Sequence, residues 1–239
     1  MKVTLLTYNL LFNGALPAIT EVIEKYNPDI MCFQEIETDK VNLKNIEKSG
    51  YRLADYSNSF IKFGKIYGLA TFYNEAKLTY LDSSRLNLPR SYYEVILFML
   101  RGGNNPRTVL KTEFRDKETN QKIISYNLHL SHLGTNGIRV RQVKETLNDL
   151  KLAGDDAILI SGDFNYPYGR RAFEEIIHKY ELKEATSAIL YTLEKKVLKF
   201  ITVKLKLDYI LYKNLSLIHS AKATNRDSDH FPIIAEFEL

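Results

Sequence analysis

The chain has 239 residues, 45% hydrophobic and 26% charged, which is the composition of an ordinary globular protein and excludes a low-complexity or fibrous one. This length buries most of its apolar surface without a disulfide or structural metal, and no linker-like stretch interrupts it, so we expect one domain over residues 1–239. The net charge of +4 permits an anionic partner without requiring one, and the single cysteine, Cys32, excludes an intrachain disulfide and a thiolate zinc site.

The first residues, MKVTLLTYNLLFNGALPA, superficially resemble a secretion signal. Thr7, Tyr8 and Asn9 interrupt the apolar run, however, and the segment fits a buried first strand better. The lone thiol suits a reducing compartment, so the sequence predicts a cytoplasmic protein. No stretch approaches the apolar length of a membrane span.

The first predicted elements form a β-α-β unit. Residues 3–11 are the first strand, residues 15–26 carry one apolar helical face, and DIMCFQ supplies a second buried strand after Pro28. Short strands follow near residues 51–56, 66–73, 77–81, 93–101 and 107–115, with GGNNP at 102–106 interpreted as a turn between strands.

The second half of the chain continues with the strand IISYNLHL, a helix at 137–151, the strand AILISGDF and a helix at 170–179. Further strands are predicted near residues 197–203, 206–212, 216–223 and 232–238. Many strands in meander order, with helices in a few crossovers, predict an α/β or α+β architecture. Its core is a β-sandwich, with two mixed sheets packed face to face and helices outside.

Polar residues stand where several apolar strands end. Asn9 lies in TYNL and Glu35 ends CFQE, while strand alternation in IISYNLHL places His129 on the same face as Ser125 and Asn127. Each of these residues alone has an ordinary structural interpretation.

The later strands repeat this pattern. LISGDFN runs from a buried strand into Asp163 and Asn165, KLKLDYIL embeds Asp208 between apolar neighbours, and RDSDH adds Asp229 and His230 before the last strand. Because carboxylates, amides and imidazoles are costly to bury singly, their recurrence at strand ends predicts that they converge on one site.

The chemistry of these residue types fits hydrolysis of a phosphate ester. Glu35 and Asp229 offer the hard oxygen ligands that Mg²⁺ prefers. Asp163 or His230 could accept a proton from water, and a carboxylate such as Asp208 could orient His230. No Ser–His or Cys–His pair, Walker A loop or Rossmann glycine signature stands out.

In the order TYNL, FQE, NLHL, GDFN, LDYI and SDH, these segments resemble the endonuclease/exonuclease/phosphatase superfamily, and the match extends from Asn9 to His230. The resemblance implies a four-layered α/β sandwich with its site at one rim. It further implies a divalent metal, Mg²⁺ with Mn²⁺ as the alternative, surrounded by Asn9, Glu35 and Asp229. The expected reaction is in-line attack of water on the phosphorus.

The same resemblance implies a role for each remaining site residue. Asp163 and Asn165 would position and activate the attacking water, Asp208 and His230 would form an Asp–His pair, and His129 would contact the scissile phosphate. By the chemistry of their side chains alone, Asn9, Asn165 and His129 could also hold phosphate oxygens. Arg107, in PRTVL, matches an arginine that leads a strand in many relatives.

The substrate is left open between three hypotheses. Nucleic acid is favoured by the basic balance and by arginines beside tyrosines, in RSYYE and at Tyr166, Arg170 and Arg171. A lipid headgroup or a small phosphorylated metabolite is the alternative, since TYNL and NLHL resemble the sphingomyelinase-like branch and Tyr8 stands where abasic-site endonucleases usually carry tryptophan. A non-catalytic binding module is least favoured. No heptad pattern indicates an oligomer.

Overall fold

The computed structural model describes residues 2–47, 50–62, 64–101, 107–149, 154–198, 201–224 and 227–239. Its first half contains β1 (Lys2–Asn9), α1 (Leu16–Tyr26), β2 (Ile30–Glu37), α2 (Lys40–Glu47), β3 (Arg52–Lys62), β4 (Lys65–Tyr73), β5 (Leu78–Asn87), α3 (Tyr92–Arg101) and β6 (Thr108–Asp116). The second half contains β7 (Lys122–His129), α4 (Asn136–Asp149), β8 (Ala157–Asp163), α5 (Arg170–Lys179), β9 (Lys183–Glu184), β10 (Leu193–Leu198), β11 (Ile201–Leu205), β12 (Asp208–Lys213), β13 (Ser216–Lys222) and β14 (Ile233–Glu238).

Two six-stranded mixed sheets form the centre of the molecule. The first sheet has the strand order β13-β14-β1-β2-β4-β3 and the second has the order β5-β6-β7-β8-β12-β9. Within them β1 runs parallel to β2 and β7 runs parallel to β8. The hairpin of β10 and β11 forms a separate two-stranded sheet.

Three apolar layers hold the sheets and helices together. Residues of both sheets, such as Leu5 and Leu159, form the layer between the sheets. Ile19 and Val22 of α1 pack on the outer face of the first sheet, and α4 and α5 pack on the outer face of the second. The order of layers is therefore helix, sheet, sheet, helix, which confirms the predicted α/β sandwich.

The alternation in β7 shows how the sequence places polar groups between the sheets. Asn127 faces the first sheet, donates to the carbonyl oxygens of Phe33 and Ala70 at 3.1 and 3.0 Å, and accepts from Gln34 Nε2 at 2.8 Å. Tyr126 points the other way and donates to Asp149 on α4 at 2.7 Å. His129 shares the face of Asn127, as predicted, and so points between the sheets at the end of β7.

One predicted strand is wrong. Residues 93–101 lie in helix α3, because a short apolar run such as YYEVILFML fits a buried strand and a helix equally well by periodicity. Glu94, in the first turn of this helix, is buried.

Other boundaries also differ from the prediction. The strand predicted at 197–203 spans the end of β10 and the start of β11, which pair antiparallel at Leu198 and Ile201. Residues 199–200 lie outside the described residues. Helix α2 and the two-residue strand β9 were not predicted, and the turn expected at 102–106 lies outside the described residues. None of the described helices has the length and apolar character needed to cross a membrane.

Candidate active site

Three neighbouring strands of the second sheet bring His129, Asp163 and Asp208 side by side. Asp163 is the last residue of β8 and stands in register with His129, the last residue of the parallel strand β7. Asp208 is the first residue of the antiparallel strand β12 and also stands opposite Asp163. The strand register alone therefore collects these three side chains at one edge of the sheet, and all three are buried.

The first sheet contributes Asn9 and Glu35 to the same edge. Asn9 ends β1, and Glu35 lies in a β-bulge of β2, where the pairing with β4 shifts between Gln34 and Ile36. Glu35 has a φ of 54°, so the bulge changes the direction of this side chain relative to a regular strand. A left-handed non-glycine residue is uncommon and often marks a functional site.

The amide of Asn9 joins the two sheets. Its Nδ2 donates to Glu35 Oε1 at 3.3 Å and to Asp163 Oδ2 at 3.0 Å, while its Oδ1 accepts the backbone N–H of Leu11 at 3.1 Å. Because a backbone N–H needs an oxygen acceptor, this bond fixes the orientation of the amide. Asn9 thus contributes its nitrogen to the cluster, whereas the predicted metal ligation requires its oxygen.

A left-handed turn holds Asn9 in this position. Leu11, Phe12 and Asn13 have φ values of 45°, 57° and 66°, a conformation that costs about 1–2 kcal/mol per residue. The ring of Phe12 packs edge-on against two aromatic side chains of β3 and β4, and Asn13 exchanges two hydrogen bonds with Glu37. These contacts offset the strain in the turn that follows β1.

His230 and Asp208 form a buried pair, as predicted. His230 Nδ1 lies 2.8 Å from Asp208 Oδ2, and its Nε2 lies 3.8 Å from Asp163 Oδ2. Burial lowers the pKa of His230, but Asp208, together with Asp163 and Asp229, outweighs burial and raises it to about 10. The imidazole is therefore a cation at neutral pH, with its second nitrogen directed towards Asp163.

The pKa values of the other shifted groups in the cluster favour their neutral forms. Burial raises the pKa of Asp163 to about 7 against the attraction of His230, and burial also raises the pKa of Glu35. Burial, followed by the positive charge of Arg107, lowers the pKa of His129 well below its usual value. His129 is therefore neutral at pH 7, and it lies 3.6 Å from Asp163 and 3.8 Å from Glu35.

Asn165 holds the loop that follows β8. Its backbone N–H donates to Asp163 Oδ1 at 2.8 Å, and its side chain donates to the carbonyl oxygen of Leu130 at 3.1 Å. Its Oδ1 lies 3.2 Å from Nδ1 of His132, an exposed histidine that the sequence analysis did not single out. Asn165, the last residue of GDFN, thus orients Asp163 and links it to Leu130 and His132, which follow β7.

The carboxylates of the cluster fit a divalent cation. Glu35 Oε2 is buried without a hydrogen-bond partner among the described residues, and Asp229 is close enough to act electrostatically on Glu35. Asp229 also forms an ion pair with Lys195 at 3.2 Å. Asp163, Asp208 and His230 could likewise surround an ion, since their ligand atoms lie within 4.8 Å of one another. A protonated imidazole does not coordinate metal, however, so Glu35 and Asp229 suit the cation better.

Arg107 lies beside the cluster and is itself buried. It stands two residues before Val109, which pairs with Leu128, the neighbour of His129. Its Nη2 donates to Glu94 Oε1 of α3 at 3.0 Å. Glu94 was not predicted to join the site because this helix was predicted as a strand, although a carboxylate inside an apolar run is a signal in the sequence.

Three predicted substrate-binding residues do not join the cluster in the described contacts. Tyr166 is only 3% exposed, packs on Phe173 and donates to Gly169 O. Arg170 forms ion pairs with Glu174 and Glu184, and the fully exposed Arg171 pairs with Glu175. Tyr166 therefore belongs to the core, and both arginines already have carboxylate partners.

Solved structures with the same fold cover nearly the whole chain. An endonuclease/exonuclease/phosphatase family protein from Bacteroides thetaiotaomicron is 20% identical with a TM-score of 0.76, over 99% of this chain and 97% of that one. A mannosyl-6-phosphatase from B. thetaiotaomicron VPI-5482 is 19% identical with a TM-score of 0.74, over 99% and 100%. ANGEL2, a 2′,3′-cyclic phosphatase in complex with adenosine-2′,3′-vanadate, is 16% identical with a TM-score of 0.78, over 99% and 95%.

At these identities the structural likeness shows the fold alone, and none of the curated proteins matches the chain in sequence. The model of the endonuclease/exonuclease/phosphatase family matches residues 6–230, which include all of the clustered polar residues. The chain therefore belongs to the endonuclease/exonuclease/phosphatase family and is an enzyme that hydrolyses phosphoric esters.

Proposed function

We propose that the enzyme is a divalent-metal-dependent phosphodiesterase that cleaves its substrate by in-line attack of water. The observation that carries this proposal is the meeting of two sheets at one edge. Asn9 and Glu35 from the first sheet face His129, Asp163 and Asp208 from the second, and His230 completes the cluster. Such a combination of buried acids, amides and imidazoles serves phosphoryl chemistry better than structural stability.

Glu35 and Asp229 are the residues proposed to hold the metal, Mg²⁺ or Mn²⁺. A bound ion would supply a positive charge that neutralises the charge developing on the phosphoryl oxygens. Asn9 supports this role through its amide nitrogen, which holds the Glu35 carboxylate in place. The buried Oε2 of Glu35, which has no partner among the described residues, is the atom available for coordination.

Asp163 is proposed as the group that accepts the proton of the attacking water. Its carboxylate is oriented from two sides, by Asn9 Nδ2 and by the backbone N–H of Asn165. A pKa of about 7 suits a general base, because the carboxylate is partly ionised at neutral pH yet basic enough to take a proton. His230 is a poor candidate for this step, since its raised pKa keeps it protonated.

The two histidines are proposed to bind the phosphoryl group in different charge states. His230, protonated and fixed by Asp208, offers a charged N–H at Nε2. His129 is neutral and presents Nε2 beside Glu35 and Asp163. A charged donor and a neutral one, both preorganised in a dry site, stabilise the negative charge of the transition state.

The substrate that we propose is a nucleic acid strand. Tyr92 and Tyr93 of α3 are 75% and 65% exposed, and the next residue, Glu94, connects this helix to Arg107 beside the cluster. Exposed tyrosines next to a phosphate-binding site are suited to stacking on bases. ANGEL2, which shares the fold, was solved with an adenosine-derived ligand.

A small phosphate ester is the second candidate. The mannosyl-6-phosphatase shares the fold over the full length of both chains. The ion pairs of Arg170 and Arg171 also engage two residues that were predicted to bind the substrate. A lipid headgroup falls in the same group of substrates, because it too requires recognition of one phosphate only.

A panel of substrates with Mg²⁺ distinguishes these candidates. The panel contains a single-stranded DNA, an RNA oligonucleotide, adenosine 2′,3′-cyclic phosphate, mannose 6-phosphate, sphingomyelin and bis(p-nitrophenyl) phosphate. We expect cleavage of an oligonucleotide. In the double variant Tyr92→Ala, Tyr93→Ala we expect the KM for that oligonucleotide to rise about tenfold or more, because each lost stacking contact is worth about 1–3 kcal/mol.

The same double variant provides its own control. Its rate on bis(p-nitrophenyl) phosphate, which needs only the catalytic centre, should equal that of the wild type. The exposed Arg171→Ala variant should match the wild type on both the oligonucleotide and bis(p-nitrophenyl) phosphate. Turnover of mannose 6-phosphate or sphingomyelin alone would transfer the proposal to the second candidate.

A further inference from the structure

We propose that Glu94 is a positioning residue, which holds Arg107 so that the remaining N–H groups of its guanidinium bind an oxygen of the substrate's phosphoryl group. This proposal rests on the proposed phosphoesterase function and deepens it, because it names a residue that acts on phosphate recognition through Arg107. Neither residue lies in a strand of the sheets, since Arg107 precedes the first residue of β6 and Glu94 lies on helix α3.

Two hydrogen-bond donors, Ser131 and Arg107, hold the carboxylate of Glu94. Its Oε2 accepts the hydroxyl of Ser131 at 2.6 Å, and its Oε1 accepts Arg107 Nη2 at 3.0 Å. Gln142 donates to the same hydroxyl at 2.7 Å and accepts the backbone N–H of Ser131 at 3.0 Å. The carboxylate is thus fixed by a buried network, so the position of the guanidinium is fixed with it.

Ser131 also connects this network to the end of β7, where His129 lies. It lies two residues after His129, and Arg139 donates to its carbonyl oxygen at 2.9 Å and to that of His132 at 2.8 Å. A displacement of Arg107 would therefore be resisted by the same segment that carries His129.

Arg107 keeps donors that no described residue uses. Its side chain is only 9% exposed, yet Nε and Nη1 are both buried and lack hydrogen-bond partners among the described residues. A buried, unsatisfied donor is costly, and a charged one more so. The guanidinium lies close enough to His129 to lower its pKa, so a phosphoryl oxygen held by His129 is within the same small region. Donors that are buried, charged and unused beside a phosphate-binding histidine are suited to that oxygen.

Chemical rescue tests the pair. Arg107→Ala should lower kcat/KM for bis(p-nitrophenyl) phosphate by about 10²–10³-fold, as loss of one preorganised charge-stabilising donor typically does. Guanidinium chloride at tens of millimolar should restore activity about tenfold by binding to the vacant site beside Glu94, relative to NaCl of equal ionic strength. In the double variant Arg107→Ala, Glu94→Gln the same salt should restore nothing.

A matched control separates this role from a structural one. Arg107→Ala combined with Glu174→Gln, an exposed acid on α5, should be rescued as well as Arg107→Ala alone. Equal rescue with and without the Glu94 carboxylate would overturn the proposal, because guanidinium would then not depend on the partner that we assign to it.

A second measurement uses binding instead of turnover. By calorimetry, Glu94→Gln should weaken binding of inorganic phosphate to the metal-loaded enzyme about tenfold, and its near-ultraviolet circular dichroism should match the wild type. Unchanged phosphate affinity in this variant would contradict the proposal even if the double variants fail to fold. If the wild type hydrolyses no ester in the panel, the proposed function fails, whereas the phosphate-binding result still decides the role of Glu94.

Discussion

In the proposed mechanism, Asp208 acts by stabilising the protonated form of His230. The carboxylate lies 2.8 Å from His230 Nδ1, and it is the main group that overcomes the effect of burial on the imidazole. A histidine whose pKa is raised is protonated below that pKa and loses its proton as the pH rises through it. His230 thus stays charged up to about pH 10 only while Asp208 is ionised.

Asp208→Asn should therefore move the alkaline limb of the pH–rate profile to lower pH. Asparagine can still accept a hydrogen bond, but it no longer supplies the negative charge that stabilises the imidazolium. We also expect kcat to fall by about 10²–10⁴-fold at pH 8, the usual contribution of a positioned acid or base. The measurement is kcat for bis(p-nitrophenyl) phosphate between pH 5 and 10.

Asp55→Asn serves as the control for that experiment, since Asp55 pairs with Arg85 away from the described cluster. This variant should have the pH profile of the wild type. An Asp208→Asn enzyme whose alkaline limb stays in place would show that His230 is not the group that titrates there.

In β8, a glycine allows the backbone to approach β7 closely at the site. Gly162 precedes Asp163 and has a φ of 139°. A Cβ at this position would lie 1.9 Å from the carbonyl oxygen of Leu128 on β7, so the two strands approach more closely than any side chain allows. The register that aligns His129 with Asp163 depends on this contact.

Gly162→Ala should consequently lower the free energy of unfolding by about 3 kcal/mol or more, through backbone displacement and the unfavourable φ together. Gly154→Ala is the matched variant, because Gly154 has a φ of 55° but no atom of the described residues within 4 Å of an added Cβ. Its free energy of unfolding should fall by only about 1–2 kcal/mol, the cost of a left-handed non-glycine residue. Urea denaturation measures both, and equal losses would show that the contact with Leu128 O is not restrictive.

Most residues of the site could be predicted from the sequence, but helix α3 and the β-bulge at Glu35 could not. Asp163, Asp208 and His129 were predictable because polar side chains at the ends of apolar strands meet wherever those strands are neighbours. The bulge at Glu35 depends on pairing with β4, which no local pattern encodes. Helix α3 was misassigned because nothing in its apolar run favours one period over the other. The ion pair of Arg170 with Glu184 was likewise not predictable from a local pattern, since Glu184 is distant in sequence.

At the scale of the whole molecule, each sheet supplies half of the site. Asn9 and Glu35 extend from one sheet and Asp163 from the other, so a cation among these carboxylates would connect the two sheets. A ligand that binds only the folded state stabilises it, by about 2.7 kcal/mol at a hundred times its Kd. For a chain of this length, that corresponds to a rise in Tm of about 5–11 °C.

This stabilisation should depend on pH. The raised pKa values of Asp163 and Glu35 mean that these carboxyls favour the folded state while protonated, and that this contribution is lost as the pH rises through the folded pKa, near 7 for Asp163. Because protons compete with the metal, MgCl₂ should raise Tm more at pH 8 than at pH 6. Thermal unfolding followed by circular dichroism at both pH values measures the difference.

Two neighbouring variants sharpen the metal experiment. Glu35→Gln should abolish the response to MgCl₂, whereas Glu37→Gln should retain it, since Glu37 pairs with Lys65 and Asn13 instead. A response that persists in Glu35→Gln, or one that is equal at pH 6 and pH 8, would place the cation elsewhere.

The most direct test of the central claim is the rate of phosphodiester hydrolysis by wild-type enzyme and Asp163→Asn, each with Mg²⁺ and with EDTA. We predict that the wild type hydrolyses bis(p-nitrophenyl) phosphate with Mg²⁺ and loses this activity in EDTA. Asp163→Asn should be inactive under both conditions while its Tm shows it to be folded. A folded Asp163→Asn enzyme with a near-normal rate would contradict the account of this site.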